Sequence, residues 1–205
     1  MVAVAVALAD ERGADGVTMR ATAAALGVEA MSLYHHVASR DAMLDGMVDA
    51  VFAEIDLPTP GAPWRRAMHE RAASSRAALR RHPWAVGLMD SRRRPGAATL
   101  RHHDAVLGAL RAGGFSLTAA AHGVTVIDSY LYGFVLQELS LPFASPAELG
   151  GVADGMLRAL PADEYPHLAE LVSRHALRPE HDPDEEFDRG LALVLGALEP
   201  DERPG

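Results

Sequence analysis

The stretch TMRATAAALGVEAMSLYHHVASRDAMLD, residues 18–45, predicts two short helices joined by a tight turn. Thr18 stands where a hydroxyl can accept a hydrogen bond from an unpaired backbone N–H at the start of the first helix. Gly27 stands where the chain must reverse, and glycine adopts a positive φ without a steric penalty from Cβ. The second helix is expected to begin near Glu29. A second helix in such a pair can enter the major groove of DNA.

The apolar residues of this stretch recur at helical spacing. Leu33 and Val37 are predicted to bury themselves against the first helix and the turn. Their expected partners there are Met19, Ala23, Leu26 and Val28. The side chains left to face outward are Ala30, Met31, Ser32, Tyr34 and His35.

The segment LGVEAMSLYHHVASR, residues 26–40, resembles the helix-turn-helix of TetR-family transcriptional regulators. The resemblance implies that the residues from Glu29 to Ser32 face base edges, while Tyr34, His36 and Arg40 contact phosphate or sugar. With flanking groups, the expected DNA-binding set is Thr18, Arg20, Glu29, Ala30, Met31, Ser32, Tyr34, His35, His36 and Arg40. The alternative is a helical hairpin that reads no DNA, with the Tyr-His-His run simply closing a helix.

The composition favours a helical protein. Of the 205 residues 49% are hydrophobic and 5% aromatic, which suits helix better than sheet. The absence of cysteine excludes disulfides and thiolate zinc sites. No apolar run reaches the roughly 18 residues that cross a bilayer, and the opening MVAVAVALA lacks the basic segment of a signal peptide. We therefore expect a cytoplasmic protein with no membrane partner.

The charge complicates DNA binding. The net charge of −9 argues against an unspecific nucleic-acid binder. TetR-family members usually carry a basic arm before the first helix, whereas this chain begins within that helix. Either the native chain starts upstream of Met1 or a few well-placed groups carry the affinity. Glu29 could accept a hydrogen bond from cytosine or simply favour a helix N-terminus. Residues 1–47 hold Asp10, Glu11, Asp15, Glu29, Asp41 and Asp45 against Arg12, Arg20 and Arg40.

Downstream of the segment DLPTPGAP, residues 56–63, the chain reads as further helices. Ser39 and Ser116 are expected to cap two of them, and Pro142 and Pro146 to end the longest. The helices are predicted over residues 39–55, 64–81, 96–112, 117–139 and 187–198. The buried face of the second of these is expected to hold Trp64, Met68, Ala72, Ser75 and Leu79.

This second half resembles the C-terminal domain of the tetracycline-repressor branch, on residues 113–138 and 187–199. The resemblance implies an all-α fold, with a three-helix DNA-binding module at residues 1–46 and a larger ligand-binding and dimerisation domain at residues 47–205. The last helix agrees with a homodimer, because leucines and valine make it apolar almost all round. A charge at Leu195 is predicted to break that dimer.

In tetracycline-responsive members a histidine and a glutamate hold a metal-chelated drug, and Asp90 and Gln137 align with those positions here. The effector is therefore expected to be a small, mostly apolar molecule rather than magnesium–tetracycline. No cofactor is expected. The candidate ligand-binding residues are Trp64, Met68, Ser75, Met89, Asp90, Arg94, His102, Val106, Val124, Asp128 and Gln137.

The sequence leaves three classes of function. The leading one is a ligand-responsive repressor that binds a palindromic double-stranded DNA operator. The second is a helical, small-molecule-binding dimer that has lost its operator contacts, which the acidic head favours. The third, a His/Asp hydrolase, lacks a nucleophile elbow or phosphate loop, so no enzyme is expected. His102 and His103 point about 100° apart on a helix, which disfavours a metal site with His122 and Asp128.

Overall fold

The computed structural model describes residues 1–141, 155, 160–176 and 182–201, and every regular element among them is helical. The chain forms two compact units, residues 1–136 with 191–205 and residues 137–190. Pro142 and Pro146 lie outside the described residues. No helix in the described part is long and apolar enough to cross a membrane. The helices are α1 (Val2–Arg12), α2 (Met19–Leu26), α3 (Ala30–Leu33), α4 (Arg40–Ala53), α5 (Trp64–Arg81), α6 (Ala97–Ala112), α7 (Leu117–Ser140), α8 (Pro166–Leu171) and α9 (Pro183–Ala197).

The predicted helix boundaries of the N-terminal module are confirmed by their caps. The Ala21 N–H donates to the Thr18 hydroxyl over 3.0 Å, and Gly27 adopts the left-handed conformation with φ of 70°. Ser39 caps α4 in the same way, accepting from the Ala42 N–H at 3.2 Å. The caps at Thr18 and Ser39 define the starts of α2 and α4, and the left-handed Gly27 ends α2 before the turn to α3.

The core of this module lies where α1 packs against α2 and α4. Leu33 is buried there as predicted, and Val37 is partly buried against the same cluster. The predicted burial of Val28 is wrong, because its side chain is 45% exposed just after the left-handed Gly27. Ala30, expected to face outward, is instead half-buried against the core.

A close contact joins α4 to the start of α6. The Asp49 carboxylate accepts hydrogen bonds from the Thr99 backbone N–H at 2.8 Å and from its hydroxyl at 2.9 Å. Gly96 precedes this contact, and a Cβ built there would lie 2.2 Å from Asp49 Cγ. The φ of Gly96 is −80°, which any residue can adopt, so its backbone conformation does not require glycine. The close approach of α4 does.

Replacing Gly96 by alanine is expected to push Asp49 off Thr99 and to lower the unfolding free energy by about 1–3 kcal/mol, the usual cost of overpacking. Gly108 is the matched control, since it lies in α6 with open space where a Cβ would stand. Gly108→Ala should raise stability by about 0.4–1 kcal/mol. Urea unfolding measures both changes, and equal effects would show that Gly96 has no special contact.

The two long C-terminal helices each have two kinds of face. On α7, Ile127 and Leu131 are buried, whereas Val126 is about half exposed. On α9, Leu195 is buried but Leu193 is 73% exposed. The last helix is therefore half covered by its own chain, and an apolar strip that contains Leu193 is exposed on the opposite side.

Candidate functional site

The predicted DNA contacts lie on α3, on the residues on either side of it and at the start of α2, and most of them are exposed. Met31 is 73% exposed and Tyr34 is 49% exposed. The exposed set also contains Thr18, Arg20, Glu29, Ser32, His35 and His36. A short helix with these side chains in solvent can present donors, acceptors and an apolar side chain to base edges.

Arg40, predicted as a phosphate contact, is held by its own module. Its Nε donates to the Val17 carbonyl and its Nη2 to the Ala14 carbonyl, both over 2.7 Å. Asp15 lies 3.8 Å from the same guanidinium. The side chain therefore fastens the turn before α2 to the start of α4.

Half of the carboxylates counted in residues 1–47 are bonded to residues further along the chain. Asp10 accepts from Trp84 Nε1 at 2.7 Å. Arg92 Nε donates to Asp45 at 2.7 Å, and its Nη2 reaches Asp41 at 3.4 Å. Their negative charge is thus compensated within the protein.

His82 joins α1 to the end of α4. Its Nδ1 lies 2.7 Å from Asp10, and its Nε2 lies 3.1 Å from Glu54. Only the imidazolium form can donate to both carboxylates. Burial alone would raise the pKa of Glu54, but hydrogen bonds from Arg81 and His82 outweigh it and lower that pKa.

The centre of the larger domain holds a buried ion pair. Arg71, only 2% exposed, donates through Nη1 to Asp128, which is 7% exposed. Its Nε donates to His102 Nε2 over 3.0 Å. The Ser75 hydroxyl donates to the Arg71 carbonyl over 2.8 Å. These contacts link α5, α6 and α7 through polar groups in a core that is otherwise apolar.

His102 is fully buried and neutral. Because its Nε2 accepts from Arg71, the proton resides on Nδ1, which finds no hydrogen-bond partner among the described residues. Burial, with the charge of Arg71, lowers the pKa of His102 from 6.5 to about 3. The unpaired donor costs about 1–3 kcal/mol.

This lowered pKa makes stability depend on pH. The folded state resists protonation of His102, so its contribution is complete above pH 6.5 and is lost as the pH falls toward about 3. From about pH 7.5 to about pH 5, the wild-type protein should lose about 2 kcal/mol more unfolding free energy than His102→Gln. The glutamine amide oxygen can still accept from Arg71. Parallel pH slopes in urea unfolding of the two proteins would contradict a neutral, buried His102.

Two cavities lie beside this ion pair and share Asp90 and His103. The first, about 280 Å³, lies between α4 and α6. The second, about 260 Å³, lies along α7. The first is lined by Asp45, Val48, Met89, Asp90, Arg92, Pro95, Thr99, Leu100 and His103. The second is lined by Asp90, His103, Val124, Thr125, Asp128, Ser129 and Tyr132.

Two acidic groups of the second cavity have raised pKa values. Burial and then the charge of Asp128 raise the pKa of Asp90. Burial, followed by Asp128 and Asp90, raises the pKa of Tyr132 as well. Both shifts show that a further negative charge is disfavoured here.

Comparison with known proteins matches both halves of the chain. Residues 2–47 match the family model described as bacterial regulatory proteins, tetR family, and residues 57–200 match that of the tetracyclin repressor-like C-terminal domain. The chain belongs to the TetR family. It is thus a ligand-responsive transcriptional regulator of this family, with the helix-turn-helix in α2 and α3.

Two curated TetR-family relatives cover nearly the whole chain. An HTH-type transcriptional regulator of Saccharopolyspora erythraea is 35% identical over 97% of this chain and 82% of its own length. The HTH-type transcriptional repressor DrrR1 of Streptomyces coeruleorubidus is 31% identical over 97% of this chain and 76% of its own length.

Solved TetR-family structures share the fold. ActR of Streptomyces coelicolor in complex with actinorhodin has a TM-score of 0.80 and 28% identity, covering 96% of this chain and 92% of that one. Class A TetR in complex with 5a,6-anhydrotetracycline and magnesium has a TM-score of 0.66 and 27% identity, covering 98% of this chain and 96% of that one. In the described part of this chain, no group of three or more metal-ligating side chains could hold an ion.

The structure distributes the predicted ligand-binding residues over several environments. The cavities are lined by Met89, Asp90, Val124 and Asp128. Ser75 and His102 contact Arg71 instead. Of the others, Trp64, Met68 and Val106 are buried, whereas Arg94 and Gln137 are exposed.

Sequence reasoning missed Arg71, His103 and Tyr132. Arg71 shares the apolar stripe of α5 with Met68 and Ser75, at spacings of three and four residues. The helical spacing of Arg71 therefore indicated burial, although a charged side chain is not usually expected in a core.

Proposed function

We propose that this TetR-family protein is a repressor that binds a palindromic operator as a homodimer and leaves it when a small, mostly apolar molecule enters the core. The observation that carries this proposal is the position of α4. The helix follows the reading helix directly, and its Asp45 and Val48 form part of the first cavity. A ligand in that cavity therefore contacts the helix that supports α3.

Two polar links make this coupling specific. Asp49 of α4 holds the start of α6 through Thr99, and Arg92 holds Asp45. We propose a functional boundary near residue 46, although α4 runs across it without a break. A ligand changes operator affinity only if it binds one conformation of the protein better than the other. A ligand that breaks these links would favour the conformation in which they are absent.

Two relatives support the same function. DrrR1 is named a transcriptional repressor, and the ActR structure holds actinorhodin. The acidic count of residues 1–47, which favoured a dimer without operator contacts, weighs less because Asp10, Asp41 and Asp45 contact groups of the larger domain.

The reading face can be tested by comparing specific with random DNA. Met31→Ala and Ser32→Ala should each weaken binding to the operator by on the order of tenfold and leave random DNA almost unchanged, because base contacts specify. Tyr34→Phe should weaken both DNAs equally, because phosphate contacts position. Fluorescence anisotropy with the DNA upstream of the protein's own gene measures these affinities. Equal losses on both DNAs for all three variants would contradict this division of roles.

The same titration separates the alternative function. A repressor should bind the upstream DNA far more tightly than a random duplex. A helical small-molecule-binding dimer without an operator would bind both equally weakly. That result would overturn the repressor proposal.

A further inference from the structure

The two cavities differ in chemistry on either side of Asp90 and His103. Toward α4 and the start of α6, the walls include Val48, Met89 and Leu100. Toward α7, the walls carry a larger share of polar groups, with the carboxylate of Asp128, the phenol of Tyr132 and the hydroxyls of Thr125 and Ser129. A ligand that spans both cavities would therefore meet an apolar end and a polar end.

The positive charges near these walls already have partners. Arg71 donates to Asp128 and to His102. Arg92 donates to Asp45 and lies within 3.4 Å of Asp41. Arg71 thus neutralises Asp128 of the second cavity, and neither of these two guanidinium groups is bonded to Asp90.

Asp90 has no guanidinium partner among the described residues, and its side chain is 57% exposed at the border of both cavities. The nearest basic group in that part of the chain is His103, whose Nε2 lies 4.0 Å away. His103 Nδ1 donates to the Thr99 carbonyl over 2.8 Å. The carboxylate of Asp128 borders the second cavity too, but it is paired with Arg71.

We propose that the effector is an amphiphile with one protonated amine, which Asp90 binds at the polar end while an apolar body fills the first cavity. The inference rests on the proposed function, because it specifies the ligand of the same core. An ammonium group supplies the missing positive charge, and the ring of Tyr132 can add a cation–π contribution. A carboxylate on the ligand would meet the like charge of Asp90, and a neutral polar group would supply no counter-charge to it.

The size of the site agrees with such a molecule. The cavities of about 280 and about 260 Å³ are each slightly below the range of roughly 300–1,000 Å³ typical of small-molecule sites. Each cavity therefore suits one end of a small amphiphile rather than a whole drug-sized ligand.

Three probes of equal size test the inference on the full-length protein. They are 2-naphthylmethylamine, 2-naphthalenemethanol and 2-naphthoate, titrated by calorimetry at neutral pH. The amine is expected to bind at least about tenfold more tightly than the alcohol, with the carboxylate weakest. Equal affinities, a preference for naphthoate, or no heat from the amine at millimolar concentration would overturn the inference.

Asp90→Asn should weaken the amine by about tenfold while changing the affinity of the alcohol less than twofold. Asp104→Asn is the matched control, since Asp104 is an exposed carboxylate of α6 outside the lining of both cavities. It should leave all three affinities unchanged. An equal loss for amine and alcohol in Asp90→Asn, or the same loss in Asp104→Asn, would refute recognition by Asp90.

Operator binding is measured separately, so the two proposals fail in different ways. A protein that binds the amine through Asp90 but does not bind its upstream DNA would refute the repressor and leave the amine site standing. A protein that binds its operator but shows no preference for the amine would refute only the amine site.

Discussion

Arg71→Ala is expected to lower the free energy of unfolding by about 3–5 kcal/mol, because it leaves a buried carboxylate without its counter-charge. Asp128 is only 7% exposed, and Arg71 is its ion-pair partner. His102 Nε2 also loses the donor that it accepts from. Urea unfolding of the purified variant measures the loss.

Two further variants separate the buried ion pair from the loss of any arginine. Arg66 lies on the same helix but is exposed and pairs with Glu70, so Arg66→Ala should change stability little. The double variant Arg71→Met/Asp128→Leu should regain much of the loss, because it removes both charges together. A double variant as unstable as Arg71→Ala would show that packing rather than charge dominates.

Leu193→Glu is expected to convert the dimer to a monomer at micromolar concentration and to weaken operator binding by on the order of 100-fold or more, because the two half-sites are then bound independently. Leu193 is exposed on α9, as is Val126 on α7. A charge on this apolar strip would have to be buried in a dimer interface, at high cost. Light scattering and operator titration measure the two effects.

The structure also changes which residue should be substituted. Leu195, which the sequence suggested, is buried within its own chain, so a charge there would unfold the protein instead of only separating subunits. Leu57→Glu is the control, since Leu57 is an exposed leucine outside α7 and α9. A wild-type protein that scatters as a monomer, or a Leu193→Glu variant that remains dimeric, would contradict the proposed interface.

Local chemistry was predictable where local residues decide it. The Thr18 and Ser39 caps and the left-handed Gly27 depend on side chains within a few residues of each helix end, and all three are observed. The long helices followed from apolar periodicity and from glycine and proline at their ends. The predicted burial of Val28 was wrong because helical periodicity does not indicate the direction of a side chain that follows a left-handed turn.

The core site was only partly predictable for the same reason. Asp90 and Asp128 were chosen from alignment and helix position, and both line the second cavity. Arg71 was not predicted, because an arginine on the apolar face of a helix is not expected to be buried until its ion-pair partner is known. That partner is 57 residues away on another helix.

The sequence by itself determined a helical TetR-family chain with a reading helix after Gly27, since helix propensity, capping and periodicity act between near neighbours. Only the tertiary structure decided which charges compensate one another. It brings Asp10 to His82, Asp45 to Arg92 and Asp128 to Arg71, and among the described residues it gives Asp90 no guanidinium partner. Coulomb energies depend on distance in space and on burial, and neither is encoded in the spacing along the chain.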